Sequence, residues 1–314
     1  MAEDETGADP GAPPFETRSA VVDAALHGQR LDKALVALAP EFSRSHLQHL
    51  IELGHVRLDG APAAPPARRL RAGQRLELEL VPTDESRAFR PQAMALAILF
   101  EDEHLMVIDK PAGLVVHPAP GHWQGTLLNG LLAHHEAAAT LPRAGIVHRL
   151  DKDTSGVMLV GKSLPAVTAL VRMIAARDVQ RRYRALAHGR VEPAEQTVDA
   201  PIGRDPGSRL RMAVVASGKP ARTDVHRVAE RGGISAVECR LHTGRTHQIR
   251  VHLALRGHPL VADALYGGAP ALGMARQALH AWRLELAHPI SGGALAFEAA
   301  PPPDFTAAWA AVAG

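Results

Sequence analysis

The chain has 314 residues, 46% hydrophobic and 22% charged, with a formal charge of +2, which describes an ordinary globular protein with room for two domains. Its single cysteine, Cys239, excludes an internal disulfide or a thiolate metal cluster and fits the cytosol; no apolar run approaches the roughly 20 residues of a membrane span. The acidic, Pro- and Ala-rich start resembles neither a secretory signal nor a transit peptide, and 18 histidines over a near-neutral balance give only mild support for a nucleic-acid partner.

Residues 1–16 hold Glu3, Asp4, Glu5, Asp9 and three prolines with nothing to bury, so a disordered tail is expected there. From Gly28, the spacing of Leu31, Leu35 and Leu38 is that of a helix, which Pro40 stops. Ser43 or Ser45 caps a second helix with Leu47, Leu50 and Ile51 on its apolar face and Gly54 past its end. Val56 and Leu58 alternate with Arg57 and Asp59 as a strand, and Asp59-Gly60 signals a hairpin turn. Leu76, Leu78 and Leu80 alternate with Arg75, Glu77 and Glu79 in a closing strand. The expected limits of this small domain are 17–81. Residues 82–93, with Pro82, Asp84, Glu85 and Ser86, read as a linker.

The large domain is expected over 94–314. Ile98–Phe100 and Leu105–Ile108 are strand-like. Thr126 caps a helix bearing Leu127, Leu128, Leu131 and Leu132, and Ser163 caps another with Pro165 in its first turn. Val157–Val160 and Val179–His188 read as strands, the latter carrying Tyr183. Residues 203–219, rich in Gly, Pro, Arg and Ser, read as a mobile basic loop. Between the runs Ile146-Val147 and Val157–Val160 lies His148-Arg149-Leu150-Asp151-Lys152-Asp153-Thr154-Ser155-Gly156, the densest polar stretch of the chain. Polar density at the mouth of a strand is where a scaffold holds a reacting group steady.

Several chemistries do not fit. His148-Arg149 matches only the first two residues of a kinase catalytic loop, and the chain has no Gly-rich loop or Asp-Phe-Gly. His247 and His252 are five apart, not four as on a metal-binding helix. Asp151 with Asp153 resembles a glycosidase carboxylate pair only superficially; Asp153 is expected to fix the loop through the Thr154 or Ser155 backbone amides.

His148–Asp151 followed by Lys152–Gly156 resembles the active-site signature of the RluA-type pseudouridine synthases. Asp109–Pro118, Gln180–Ala185, Thr243–His252, His258–Asp263 and Leu279–Ala281 resemble further motifs of the same family, in the same order. Residues 17–81, with Ser-Arg opening the second helix, resemble an S4 RNA-binding domain. The resemblance covers nearly the whole chain after the tail, nearest to the family branch that acts on the large ribosomal subunit. It implies an α+β enzyme: a small S4-like module followed by a synthase domain with a mixed, mainly antiparallel sheet flanked by helices. It implies that Asp151 is the catalytic carboxylate, Arg250 its ion-pair partner, and Tyr183 the residue that stacks on the extracted base; Arg250, following Ile249, is expected on a strand. Arg149 would fill the space the flipped uridine leaves, and His148, Arg245 and His247 would brace the site or touch RNA. Arg30, Lys33, Arg44 and Arg57 would face phosphate.

The implied partner is large-subunit (23S) ribosomal RNA or its precursor particle, acted on by a cytoplasmic monomer with no membrane, metal or cofactor. Asp151 keeps three roles open: attack on the ribose, attack on the base, or removal of a sugar proton. A synthase acting on transfer RNA and a non-catalytic S4-type assembly factor are the rival readings. Ala262 departs from the family pattern, which has glycine before Asp263.

Overall fold

The computed structural model describes residues 16–80, 88–119, 121–208 and 210–314, so the expected tail (apart from Glu16) and residues 82–87 of the expected linker lie outside the described residues. The chain divides into two compact units, 1–87 and 88–314.

The first unit runs β1 (Glu16–Val21), α1 (Leu31–Leu38), α2 (Arg44–Glu52), β2 (Val56–Leu58), β3 (Ala61–Pro62) and β4 (Arg75–Leu80), with its sheet in the order β1-β4-β2-β3. Ser43 caps α2, its side chain accepting the His46 N–H at 3.3 Å. Leu31, Leu35, Leu47, Leu50 and Ile51 of the two helices pack with Val56, Leu58, Leu76 and Leu78 of the sheet in one core. The Asp59-Gly60 turn closes as the dipeptide predicts, both residues taking positive φ (54° and 81°), the twist a tight hairpin demands.

The second unit contains β5 (Ile98–Glu101), β6 (Leu105–Lys110), α3 (Leu127–His134), β7 (Ser155–Gly161), α4 (Leu164–Ala176), β8 (Gln180–His188), β9 (Glu195–Asp199), β10 (Ile202–Arg204), β11 (Met212–Val214), β12 (Arg222–Arg231), β13 (Ile234–Leu241), α5 (Gln248–Leu255), β14 (Leu279–Ala287), β15 (Ala294–Glu298) and α6 (Pro303–Ala313). Among the described residues its main sheet has nine strands, ordered β5-β6-β7-β14-β8-β13-β12-β9, with β15 also on β14. All pairings are antiparallel except β7 with β14, which run parallel through Ser155–His280 and Gly156–Ala281. A side chain at position 156 would place its Cβ 2.1 Å from the Ala281 carbonyl oxygen, so only glycine lets the two strands meet there.

The runs in β6 and β7 are apolar throughout because both faces are covered. Met106, Ile108, Met158 and Val160 join α3 and α5 on one side; Leu105, Val107, Val157 and Leu159 join α4 on the other. Tyr183 belongs to the first side.

Two expectations change. Residues 203–219 are not simply a loop: β10 and β11 pair as an antiparallel ribbon from Ile202–Val214 to Arg204–Met212. Residues 88–92 are fastened to the start of α3. The Asn129 side-chain amide donates to the Ala88 and Arg90 carbonyls (3.1 and 2.9 Å), and Gln92 Oε1 accepts the Gly125 N–H at 2.8 Å. No helix among the described residues is long and apolar enough to cross a membrane.

Candidate active site

The loop from Arg143 to Thr154 is set by strain and anchoring together. Arg143, Ala144 and Gly145 take left-handed φ values (53°, 53° and 82°), a turn that non-glycine residues adopt only when their surroundings hold it. Ile146 then bridges to Val160, and Leu150 is buried, so Asp151 emerges at a fixed point before β7. From beneath, the buried Lys110 ammonium donates to the carbonyls of Pro111, Leu114 and Lys152 at 2.7, 2.9 and 3.0 Å. Burial lowers the Lys110 pKa to about 8. Arg276 holds the Asp153 carbonyl at 2.9 Å from the other side. The Thr154 N–H donates to the Asp151 carbonyl at 3.1 Å, so the expected bond from Asp153 to that amide is not made.

Arg250 lies in α5, not on a strand. Its Nε and Nη2 donate to Asp263 Oδ2 and Oδ1 at 2.7 and 2.8 Å, while Nη1 donates to Asp151 Oδ2 at 3.0 Å. One guanidinium therefore clamps two carboxylates. The Arg250 pKa rises despite burial because both carboxylates favour the charged form. Of the two, Asp263 is buried at 2% exposure, whereas the Asp151 side chain keeps 17% and faces the cleft. Position 262 takes a φ of 58°, the left-handed region where glycine is easiest. The turn that delivers Asp263 is thus made here by a strained alanine.

His247 caps α5 in a left-handed conformation (φ 57°), its Nε2 3.9 Å from Asp151 Oδ1 and its Nδ1 2.8 Å from the Tyr266 hydroxyl. Burial lowers the His247 pKa, partly offset by the Asp151 charge. The Tyr266 ring lies 5.0 Å from the Arg250 guanidinium, in cation–π range, and its hydroxyl accepts the Met212 N–H at 3.0 Å. Gln248 Oε1 accepts from the Thr243 hydroxyl and the Arg245 N–H at 2.7 and 3.0 Å, fixing the loop that carries Arg245. Arg245 Nε is itself turned to the Pro220 carbonyl at 3.1 Å.

Asp151, Thr243, Arg245, His247, Gln248 and Arg250 border a cleft of about 430 Å³. Tyr183 is buried in its wall, with no hydrogen-bond partner for its hydroxyl among the described residues, and burial raises its pKa to about 12, helped by Asp151 and opposed by Arg181. Six arginines line the cleft (Arg143, Arg149, Arg177, Arg181, Arg245 and Arg250), and Asp151 is its single carboxylate among the described residues. Such a surface fits a polyanion that brings one neutral group to one anionic oxygen. His148 also lines it, but its Nε2 accepts the Leu159 N–H at 2.9 Å, and burial lowers its pKa to about 3. That bond braces β7.

In the first unit, Arg30 and Arg44 converge on the buried carboxylate of Asp32, with Arg30 Nη2 and Arg44 Nη2 at 3.0 and 2.7 Å from Oδ2. The Arg30 hydrogen bond is the chief reason the Asp32 pKa lies well below the usual carboxylate range. Lys33 and Arg57 are exposed.

The family model described as RNA pseudouridylate synthase matches residues 104–255, and an S4 domain model matches 29–76. "Ribosomal large subunit pseudouridine synthase D" of Neisseria meningitidis serogroup B is 49% identical over 292 residues, covering 89% of this chain and 77% of that protein. The chain belongs to the RNA pseudouridylate synthases. The protein of the same description from Nitrosomonas europaea is likewise 49% identical to this synthase, over 90% of this chain and 84% of its own. The solved structure of human RNA pseudouridylate synthase domain containing 1 superposes with a TM-score of 0.53 at 26% identity, covering 68% of this chain and 88% of that one.

Asp263 and Tyr266 escaped the sequence reading as site residues. Asp263 lay inside a matched motif, the one signal that singled it out. Tyr266 had none beyond being the second of two tyrosines. Arg181, which also lines the cleft, lies inside the matched Gln180–Ala185 motif two residues before Tyr183.

Proposed function

We propose that this synthase converts specific uridines of large-subunit (23S) ribosomal RNA, free or in the precursor particle, to pseudouridine in the bacterial cytoplasm, with Asp151 as the catalytic carboxylate. The observation that carries the reading is the 3.0 Å pair of Asp151 with Arg250 on the wall of an arginine-lined cleft. The names of the relatives, ribosomal large subunit pseudouridine synthases, support the ribosomal target.

The isomerisation breaks the N1–C1′ bond, turns the uracil and forms a C5–C1′ bond; C5 gives up a proton, N1 gains one, and no atom is lost. A base stacked in a helix cannot be reached, so the nucleotide flips into the cleft. Arg149, exposed on the approach to Asp151, takes the place it leaves. Asp151 supplies the anionic oxygen that works on the nucleoside as the glycosidic bond breaks. Arg250, itself clamped by Asp263, holds that oxygen with a charge-assisted hydrogen bond at 3.0 Å. Tyr183 stays a neutral phenol at physiological pH, its ring against the base and its hydroxyl free to bond the turning uracil. Arg30, Lys33, Arg44 and Arg57 contact phosphate from the first unit.

Purified protein incubated with an unmodified large-subunit rRNA transcript tests the reading, with pseudouridine mapped by carbodiimide-dependent stops in reverse transcription. New stops at a few discrete uridines are expected. Stops on transfer RNA alone would reject the ribosomal target.

A further inference from the structure

Among the described residues, the Lys and Arg side chains buried in the second unit are Lys110, Arg181 and Arg250. Two are fully partnered: Lys110 by three carbonyl oxygens and Arg250 by two carboxylates. Arg181 is only 5% exposed, yet meets no carboxylate or carbonyl, and its Nε is buried without a hydrogen-bond partner. A buried guanidinium cannot escape this by losing its proton, so its cost stands until an acceptor arrives.

The position of Arg181 says where that acceptor comes from. It lies on β8 between β13 and β14, opposite Leu241 and Leu284, two residues before Tyr183 and on the same sheet face. It borders the same cleft as Asp151. Its charge reaches both Tyr183 and His148, which line the same cleft. Room for it is built in: a Cβ at Gly244 would stand 2.8 Å from Arg181 Nη1, so a side chain there would displace the guanidinium.

We propose that Arg181 is a substrate-binding residue whose guanidinium receives a phosphodiester of the RNA beside the flipped uridine. This rests on the reading of the cleft as the uridine site. A phosphodiester suits it better than a uracil carbonyl does. What the site lacks is a counter-charge, and each nucleotide brings one anion with two oxygens matched to the arginine fork. Tyr183, about 7 Å along the strand, then sits a base-to-phosphate reach away. Arg181 thereby draws the nucleotide inward by its backbone, independent of base identity.

The test compares full-length wild type, Arg181→Met and Arg181→Lys on the unmodified large-subunit rRNA transcript, measuring binding across salt, saturating turnover and thermal melting. For the Met variant, a melting midpoint no lower than wild type is expected, with affinity about 10–100-fold weaker. Its log–log salt slope should be shallower by about 0.7–0.9, one phosphate contact. Turnover at saturating RNA should change far less than affinity, and lysine should restore the slope. An unchanged slope with lost turnover would overturn the proposal in favour of a contact to the base. An unchanged slope and affinity with a lowered melting midpoint would overturn it in favour of a packing role. Wild type that binds this transcript but forms no pseudouridine defeats the ribosomal target, while the variant slopes still decide Arg181.

Discussion

With Nε and Nη2 on Asp263 and Nη1 on Asp151, Arg250 stands between two carboxylates that would otherwise face each other's charge. Arg250→Met leaves Asp263 buried and uncompensated, which should cost about 3–5 kcal/mol in denaturant unfolding and abolish turnover. Lysine is a point charge without the fork, so Arg250→Lys should keep one of the two carboxylates and recover stability more than activity. A Met variant with wild-type unfolding and turnover would remove Arg250 from the site. His148 makes a prediction in pH. Burial lowers its folded pKa to about 3 from the ordinary 6.5, because protonating Nε2 would both bury a charge and lose the Leu159 N–H. Between those values the unfolded chain binds more protons than the folded one. The contribution of His148 is therefore complete above 6.5 and drains away as the pH falls towards 3. His117, pushed down to about 4 chiefly by burial, acts in the same direction. The stability gap between wild type and His148→Asn should therefore narrow from pH 7 to pH 5 in urea titrations; a gap that stays constant would show that His148 titrates normally.

At the scale of elements, what was legible followed local rules. Ser43 capping α2, Ser163 capping α4, the Asp59-Gly60 hairpin and the alternating leucines of β4 are short-range signals, and each element formed where they stood. Strand β1 was missed because none of its six residues is buried; it is held by backbone pairing to β4, which leaves no apolar pattern. Helix α5 was misread because Ile249, Arg250 and Val251 alternate like a strand. In the structure Gln248 through Leu253 are all buried, so no polar face marks the helical period. The motif singles out Asp151, which lies on the cleft beside Arg250, but Asp263 and Tyr266 reach Arg250 only through the turn after α5, a tertiary fact. That turn yields a prediction. Ala262 holds a φ of 58°, a conformation costing an L residue roughly 1–2 kcal/mol, against about 0.5–1 kcal/mol of added chain entropy for glycine. Ala262→Gly should therefore raise stability slightly, by less than about 1 kcal/mol, or a few degrees in melting temperature. A clear fall in melting temperature would mean that the methyl group's packing outweighs the strain.

For the whole molecule, the proposed function divides the labour between the two units. The second holds Asp151, Tyr183, Arg250 and the cleft; the first presents Arg30, Lys33, Arg44 and Arg57. Because residues 88–92 are tied to α3, a chain beginning at Ala88 rather than Met94 should fold and keep its turnover. It should bind the rRNA transcript more weakly, with a salt slope flatter by roughly 0.7–0.9 for each phosphate contact removed. Equal affinity and slope in the two chains would deny the first unit any role on RNA. The most direct measurement of the central claim is Asp151→Asn in the full chain, assayed for both rRNA binding and pseudouridine formation. The amide keeps the shape and a bond to Arg250 but lacks the anionic oxygen, so the variant should melt and bind RNA within a few-fold of wild type and form no pseudouridine at saturating protein. Pseudouridine formation within tenfold of the wild-type rate would contradict the account.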